Sequence, residues 1–353
     1  MQSSIVKVLL LKSLCLLFSL VPSVGAQINT GLAWDPSAPG WNIHWNSTPG
    51  LYYAVEKTHD LQAWTLLESG ILAESASLER SLPEESSFPV FYRVLEDAFV
   101  DPATPADAQP VLNVPTGDDW VLEFSDEFNF LDPSKWNVTV STKTRSPRWD
   151  KGIQRWFWKE ENVSVENGEL VFKVTKPNST TMYCGSVDSR GIYEPLYGFM
   201  EARIQIAPVV NAIHTAFWTQ GQNMNNVDNS GADGAEVDIV ETPWADERGQ
   251  TVIHWDGYGA NKKSKTNRWS APGLHTGYHT FSMHWTESFI DIFYDGVFKW
   301  RYEGVGIPQV REWLWLSVGA SFGDGDFQNG TYPSYAYVDY VRVWRSETAG
   351  TSQ

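Results

Sequence analysis

The stretch "GADGAEVDIVETPW" places Glu236, Asp238 and Glu241 within six residues, separated by Val237, Ile239 and Val240. The β-branched spacers favour extended chain, whereas carboxylates are poor strand formers and repel one another. Side chains alternate along a strand, so Glu236 and Asp238 share a face while Glu241, an odd number of residues further on, points away. One inserted residue, a β-bulge near Ile239-Val240, returns Glu241 to their side and breaks one ladder hydrogen bond. Two carboxyl groups on one face can then divide the work of glycoside cleavage. One attacks the anomeric carbon, and the other protonates the departing oxygen and later activates water. Asp238 between them would hydrogen-bond the attacking group and keep the two titrations apart. Two other readings compete: a set of hard oxygen ligands for calcium, or a solvated charged strand. Calcium loops carry glycine, asparagine and irregular backbone rather than V-x-I-V, and a solvated face needs no tryptophans on both sides in sequence.

The elements that must position these acids read as strands. From Trp120 to Arg345 no helical period stands out. "FMEARIQI" alternates Met200, Ala202, Ile204 and Ile206 against Glu201, Arg203 and Gln205, and "NVSVENGELVFKV" is a hairpin with Asn167-Gly168 near its turn. "HTFSMHW", "SFIDIFYDGVFKW", "LWLSVGA" and "YAYVDYVRVW" continue the pattern. About a dozen strands in a domain of this length predict an all-β fold of two stacked antiparallel sheets, a sandwich or jelly roll. Fourteen of the 18 tryptophans lie at or beyond Trp120, more than a core needs, and indole faces are platforms for sugar rings.

Residues 27–96 read as a small separate β-sandwich of the fibronectin type III kind, from short alternating strands around turn signals such as Ser47-Thr48-Pro49-Gly50. Its Trp41, Trp45, Tyr52 and Tyr53 are either core or a sugar-binding face, with core favoured. Residues 97–119, with four prolines and no hydrophobic period, read as a linker. The second domain is then 120–346, with a tail at 347–353.

The first 26 residues carry Lys7 and Lys12, an apolar run and small residues at Val24 and Ala26, the layout of a secretory signal cleaved after Ala26. The apolar run is short for a membrane span, and bulky Leu14 before Cys15 does not suit a lipoprotein signal. Cleavage removes Lys7 and Lys12 from the 26 basic residues, leaving 24 against 43 acidic ones, a net charge of −19. That balance argues against nucleic acid or an anionic membrane as partner. Cys184 is left alone, so disulfides do not hold the exported protein together, and a large core must. The expectation is a soluble, secreted monomer, extracellular or periplasmic, whose partner is a polysaccharide.

Along 120–345 the sequence resembles glycoside hydrolase family 16. The family's bulged motif Glu-x-Asp-x-x-Glu matches Glu236, Asp238 and Glu241. "SDEFNFLDPSKWN", "ENVSVENGELVF", "YGFMEARIQI", "AFWTQG", "YHTFSMHWTESFIDIFYDG" and "YVDYVRVW" resemble its strands in the family's order. The resemblance implies a concave, concanavalin-like β-jelly roll with an open cleft suited to internal cleavage of long polysaccharides by retention. It assigns Glu236 as nucleophile, Asp238 as its assistant and Glu241 as acid/base. It makes Trp218, Trp244, His254 and Trp255 candidates for substrate contact. Catalysis needs no cofactor, but the family often carries a structural calcium on its convex side. Asp339 matches the acidic ligand, with the carbonyl of Gly168 and the Glu127 region as companions.

The bulged motif argues against the mixed-linkage and xyloglucan branches and leaves laminarin-type glucanases and algal galactanases. Two basic stretches, "KTRSPRWDKGIQR" (143–155) and "NKKSKTNR" (261–268), are unexpected on so acidic a protein if the substrate is neutral. Beside a cleft they would pair with sulfates or carboxylates. Residues 143–158 also resemble the Arg/Trp-rich segment of agarases and porphyranases, which adds Arg155 and Trp156 as candidate substrate contacts. The expected substrate is an anionic red-algal β-galactan of the agar, porphyran or carrageenan type, with laminarin second. A non-catalytic lectin-like binder is the alternative of another class.

Overall fold

A computed structural model describes residues 99–346 without interruption and, before them, 3–11, 14–20, 28–35, 40–47, 52–61, 65–73, 75–85 and 89–96. The chain divides into two compact units, Met1–Ala98 and Phe99–Gln353.

In the first unit, Thr30–Asp35, Gly40–Asn46 and Ser77–Ser81 form one sheet. Phe91–Glu96, Tyr52–Thr58 and Thr65–Leu72 belong to another, which the backbone hairpin of Ser3–Leu11 and Leu14–Leu20 extends. Ile43 and Trp45 from the first sheet and Tyr53, Val55, Ile71, Tyr92 and Val94 from the second bury one another in a single core. Trp45 and Tyr53 are therefore core residues, while Trp41 sits half-buried, edge-on to exposed Trp34. The expected cleavage point after Ala26, Pro49 in the expected turn, and the tail at 347–353 lie outside the described residues.

The second unit is the expected all-β sandwich. One sheet has seven strands in the order Asn137–Val138, Ser186–Asp188, Glu312–Ala320, Ile213–Gly221, Glu236–Glu241, Arg248–Trp255 and Lys263–Ser270. The other has ten, with Gly198–Gln205 and Ser334–Ser346 at its centre. All pairings between its strands are antiparallel except Arg155–Trp158 with Thr181–Cys184, and an isolated parallel bridge joins Phe99 to Phe124. Met200, Ala202 and Ile204 point into the core, as their alternation requires. The Asn167-Gly168 turn joins Val163–Glu166 to Glu169–Asn178 with both residues at positive φ, the hand that matches strand twist.

Residues 99–119 are not a free linker. Prolines deny this segment a strand ladder, so single contacts hold it against the sandwich instead. Asp101 accepts the N–H groups of Ala103 (2.8 Å) and Glu127 (3.0 Å). The Val111 N–H donates to buried Glu201 (3.1 Å), and Trp344 Nε1 donates to the Ala108 carbonyl (3.1 Å). Leu112 packs on Phe199, Phe293 and Trp344. The second unit therefore begins at Phe99, not at 120.

The calcium donor set does not fit these residues. Glu127 receives both arms of Arg342 (2.8 and 2.9 Å) and the Thr104 hydroxyl (2.7 Å). Asp339 is bound to Arg203, and Gly168 sits in its hairpin turn. Guanidinium groups already neutralise both carboxylates, so a divalent cation would have to displace them.

Asp101→Ala should lower the stability of this unit by about 1–3 kcal/mol in chemical denaturation, because two N–H groups lose their acceptor. A segment that behaved as a linker would leave the midpoint unchanged.

Candidate active site

The Glu236–Glu241 strand lies between Ile213–Gly221 and Arg248–Trp255. Glu236 pairs with Gln220 and His254, Asp238 with Trp218 and Val252, and Glu241 with Ala216 and Gln250. Opposite Arg248–Trp255 the register slips between Asp238 and Glu241, so Ile239 and Val240 together face Thr251. This is the bulge that the sequence calls for. The Thr251 hydroxyl donates to the carbonyl of Ile239 (2.9 Å), satisfying a group the broken ladder leaves over, and accepts from Trp269 Nε1 (3.0 Å). Val237, Ile239 and Val240 are buried, and all three acids line one cleft of about 410 Å³.

Burial pushes the three carboxyls up, Glu236 and Glu241 to about 7 and Asp238 well above its ordinary value, the last also through repulsion from both neighbours. They titrate as a set. Their surroundings differ, however. Burial at Glu236 is opposed by the Tyr258 hydroxyl, the nearby Arg145 charge and Gln220 Nε2, which is 3.0 Å away. Glu241 has one side-chain donor, Gln250 Nε2 at 3.1 Å. Asp238 lies 3.5 Å from His254 Nε2. Burial and nearby Lys262 push His254 down to about 4, so this contact joins a neutral imidazole to a carboxyl and is not an ion pair. The arrangement favours the anion at Glu236 and the proton at Asp238 and Glu241.

The cleft walls are aromatic and cationic. Trp218 stacks on Trp315 with centroids 4.1 Å apart and planes 9° from parallel, and its Nε1 donates to Ser317 (3.2 Å). Trp156 and Trp158 line the same cleft, with Arg145 lying 3.7 Å over the Trp158 ring. Burial of its guanidinium lowers the Arg145 pKa, although the side chain as a whole keeps a solvent-facing flank. Arg148 stands nearer Glu241 and donates from Nε to the Ala320 carbonyl (3.2 Å). His214, Tyr258 and Phe322 also line the cleft.

Of the expected substrate contacts, Trp218 and Trp156 line the cleft, and His254 touches the acids from the next strand. Trp244 stands behind the lining, edge-on to Phe322 and covered by Arg248 and Arg268. Trp255 and Arg155, expected as substrate contacts, do not line the cleft. Each follows or precedes a cleft residue on a strand and so turns to the other face. Trp255 is buried against Gly306, where a Cβ would come within 2.8 Å of its ring, and Arg155 is exposed outside the cleft. The basic strand Lys263–Ser270 is a sheet edge, and Lys263 and Lys265 pair with Trp255 and Ile253, on the face away from the acids. Lysines there protect an open edge from further pairing. Arg268, paired with Gln250, stays on the acid face.

Glu312 is a buried acid that the motif reading missed. It accepts the Ala235 N–H (2.8 Å) and the Thr219 hydroxyl (2.5 Å), fixing the residue before Glu236. Burial raises it to about 8.

Residues 151–317 match the family described as glycosyl hydrolases family 16. A kappa-carrageenase of Pseudoalteromonas carrageenovora is 27% identical over 288 residues, 68% of each chain. A glucan endo-1,3-beta-glucosidase A1 of Niallia circulans is 24% identical over 272 residues, covering 64% of this chain and 38% of that protein. The laminarinase structure from Flavobacterium sp. UMI-01 shares the fold at a TM-score of 0.53 and 23% identity, covering 64% of this chain and all of that one.

A raised folded-state pKa at Glu312 contributes stability that is full below its ordinary value near 4.5 and lost as pH rises through about 8. Glu312→Gln should therefore lose less Tm than the parent between pH 5 and 9. Parallel Tm curves would show that the proton on Glu312 is not linked to folding.

Proposed function

The chain carries a glycosyl hydrolases family 16 domain and is a glycoside hydrolase, and from that premise we propose that it is a secreted endo-acting enzyme that cleaves an anionic red-algal β-galactan with retention. Glu236 attacks the anomeric carbon. Glu241 protonates the departing oxygen, then takes a proton from the water that releases the glycosyl-enzyme. Protonated Asp238, beside neutral His254, adds no charge to the row. Trp218 and Trp156 offer ring faces to sugars along the cleft.

The observation that carries the substrate choice is the pair Arg145 and Arg148, both lining the cleft, one near Glu236 and the other near Glu241. A neutral glucan gives guanidinium groups no charge to meet, whereas a sulfate or carboxylate does. The similarity to a kappa-carrageenase supports the same reading. The second reading is an endo-β-1,3-glucanase, favoured by the likeness to the Niallia circulans enzyme. A lectin-like binder has no need of three carboxyls crowded on one face of a cleft. The small N-terminal unit is proposed as an accessory module and the first 26 residues as an export signal.

Glu236→Ala should abolish release of oligosaccharides while polysaccharide binding persists, and unchanged turnover would remove Glu236 from the reaction. On a panel of agar, porphyran, κ-carrageenan and laminarin, an anionic galactan should be cleaved fastest. Replacing Arg145 and Arg148 by alanine should lower kcat/KM on that galactan by about 10–100-fold, the worth of one or two charge-assisted hydrogen bonds. Rapid cleavage of laminarin alone, insensitive to both arginines, would establish the glucanase.

A further inference from the structure

We propose that Tyr258 and Gln220 are positioning residues that grip one oxygen of Glu236 and leave the other free to attack. The proposal rests on Glu236 as nucleophile and goes beyond it by assigning the groups that aim it. Glu236 Oε2 accepts from the Tyr258 hydroxyl and from Gln220 Nε2 (3.0 Å), and Gln220 Nε2 also reaches the Tyr258 oxygen (2.9 Å). The three groups close a triangle on a single carboxylate oxygen. Among the described residues Oε1 takes no hydrogen bond, with His254 Nε2 3.9 Å away.

The tyrosine arrives on an anchored arm. The Arg248–Trp255 strand ends in two consecutive residues at positive φ, Asp256 (60°) and Gly257 (74°), which reverse the chain toward the acids. Asp and Gly tolerate that region better than other residues. The buried Asp256 carboxylate accepts the N–H groups of Asp228 (3.1 Å) and Asn229 (3.0 Å), with Lys263 3.7 Å away. The Gly257 N–H donates to the Met224 carbonyl (2.9 Å). Tyr258, 55% exposed as a residue, then leans over the cleft with its hydroxyl on Glu236.

Electrostatics give the grip a purpose. A buried carboxyl tends to keep its proton, and donors to the charged form oppose that tendency. Glu236 faces Asp238 and Glu241 on its own strand, His254 on the next, Arg145 across the cleft and Glu312 on the interior side. Of these only Arg145 favours the anion outright, so the two neutral donors supply much of the rest. They also fix which oxygen is available, which a distant charge cannot do.

The test is a carboxyl-¹³C NMR titration of the full chain labelled in glutamate, with Glu236→Gln assigning the resonance. In Tyr258→Phe, which keeps the ring, the Glu236 midpoint should rise by about one pH unit, and Gln220→Ala should shift it in the same direction. The acidic limb of kcat/KM against pH should move up equally, with KM within about twofold. Midpoints unmoved in both variants overturn the proposal, whatever the turnover of Glu236→Ala. Midpoints that rise while the kinetic limb stays put uphold the grip and count against Glu236 as nucleophile.

Discussion

One extra residue in one strand sets the chemistry of this domain. With Ile239 and Val240 together facing Thr251, residues an odd number apart come to one face, and Glu241 joins Glu236 and Asp238 in the cleft. A regular strand of the same sequence would send Glu241 into the apolar interior, where an acid costs several kcal/mol unless paired. The irregularity persists because its carbonyl is answered by Thr251 and its apolar side chains fill the core. Packing and catalysis therefore ask for the same backbone.

Crowding three carboxyls into one row where burial strips much of their water raises all their pKa values, so ionisation there must be directed. The donors are distributed unequally: two side chains on Glu236, one on Glu241, and for Asp238 a contact to a neutral imidazole. Arg145 and Arg148 add positive charge above the row without sitting within it. The same two guanidinium groups are available to an anionic chain. On the proposed anionic substrate, binding and acid ionisation would be coupled, since a sulfate near Arg145 would weaken its pull on Glu236.

What could be read beforehand follows from how local each signal is. Alternation and β-branched spacers within 236–241 contain the bulge, and the periodic strands contain the sandwich. Local alternation also limited the site reading: His254 with Trp255, and Arg155 with Trp156, are neighbours on strands, so only one of each pair can face the cleft. The proline-rich stretch 99–119 was legible as lacking a ladder but not as docked, because its partners Glu201, Glu127 and Trp344 are remote in sequence. Tyr258, Gln220 and Glu312 were invisible for the same reason. Their roles depend on strand order and on where Asp256 turns the chain. The basic run at 143–155 reaches the cleft through Arg145 and Arg148 rather than Arg155.

The proposed retention requires Glu236 to attack the anomeric carbon while Glu241 serves the departing oxygen and then the incoming water. Proton NMR of the first products, recorded within minutes of adding enzyme to the polysaccharide it cleaves, reads the configuration at that carbon before mutarotation. New reducing ends should appear first in the β form, with α growing in later. Ends that appear first as α would mean single displacement by water, and the assignment of Glu236 as nucleophile would be wrong.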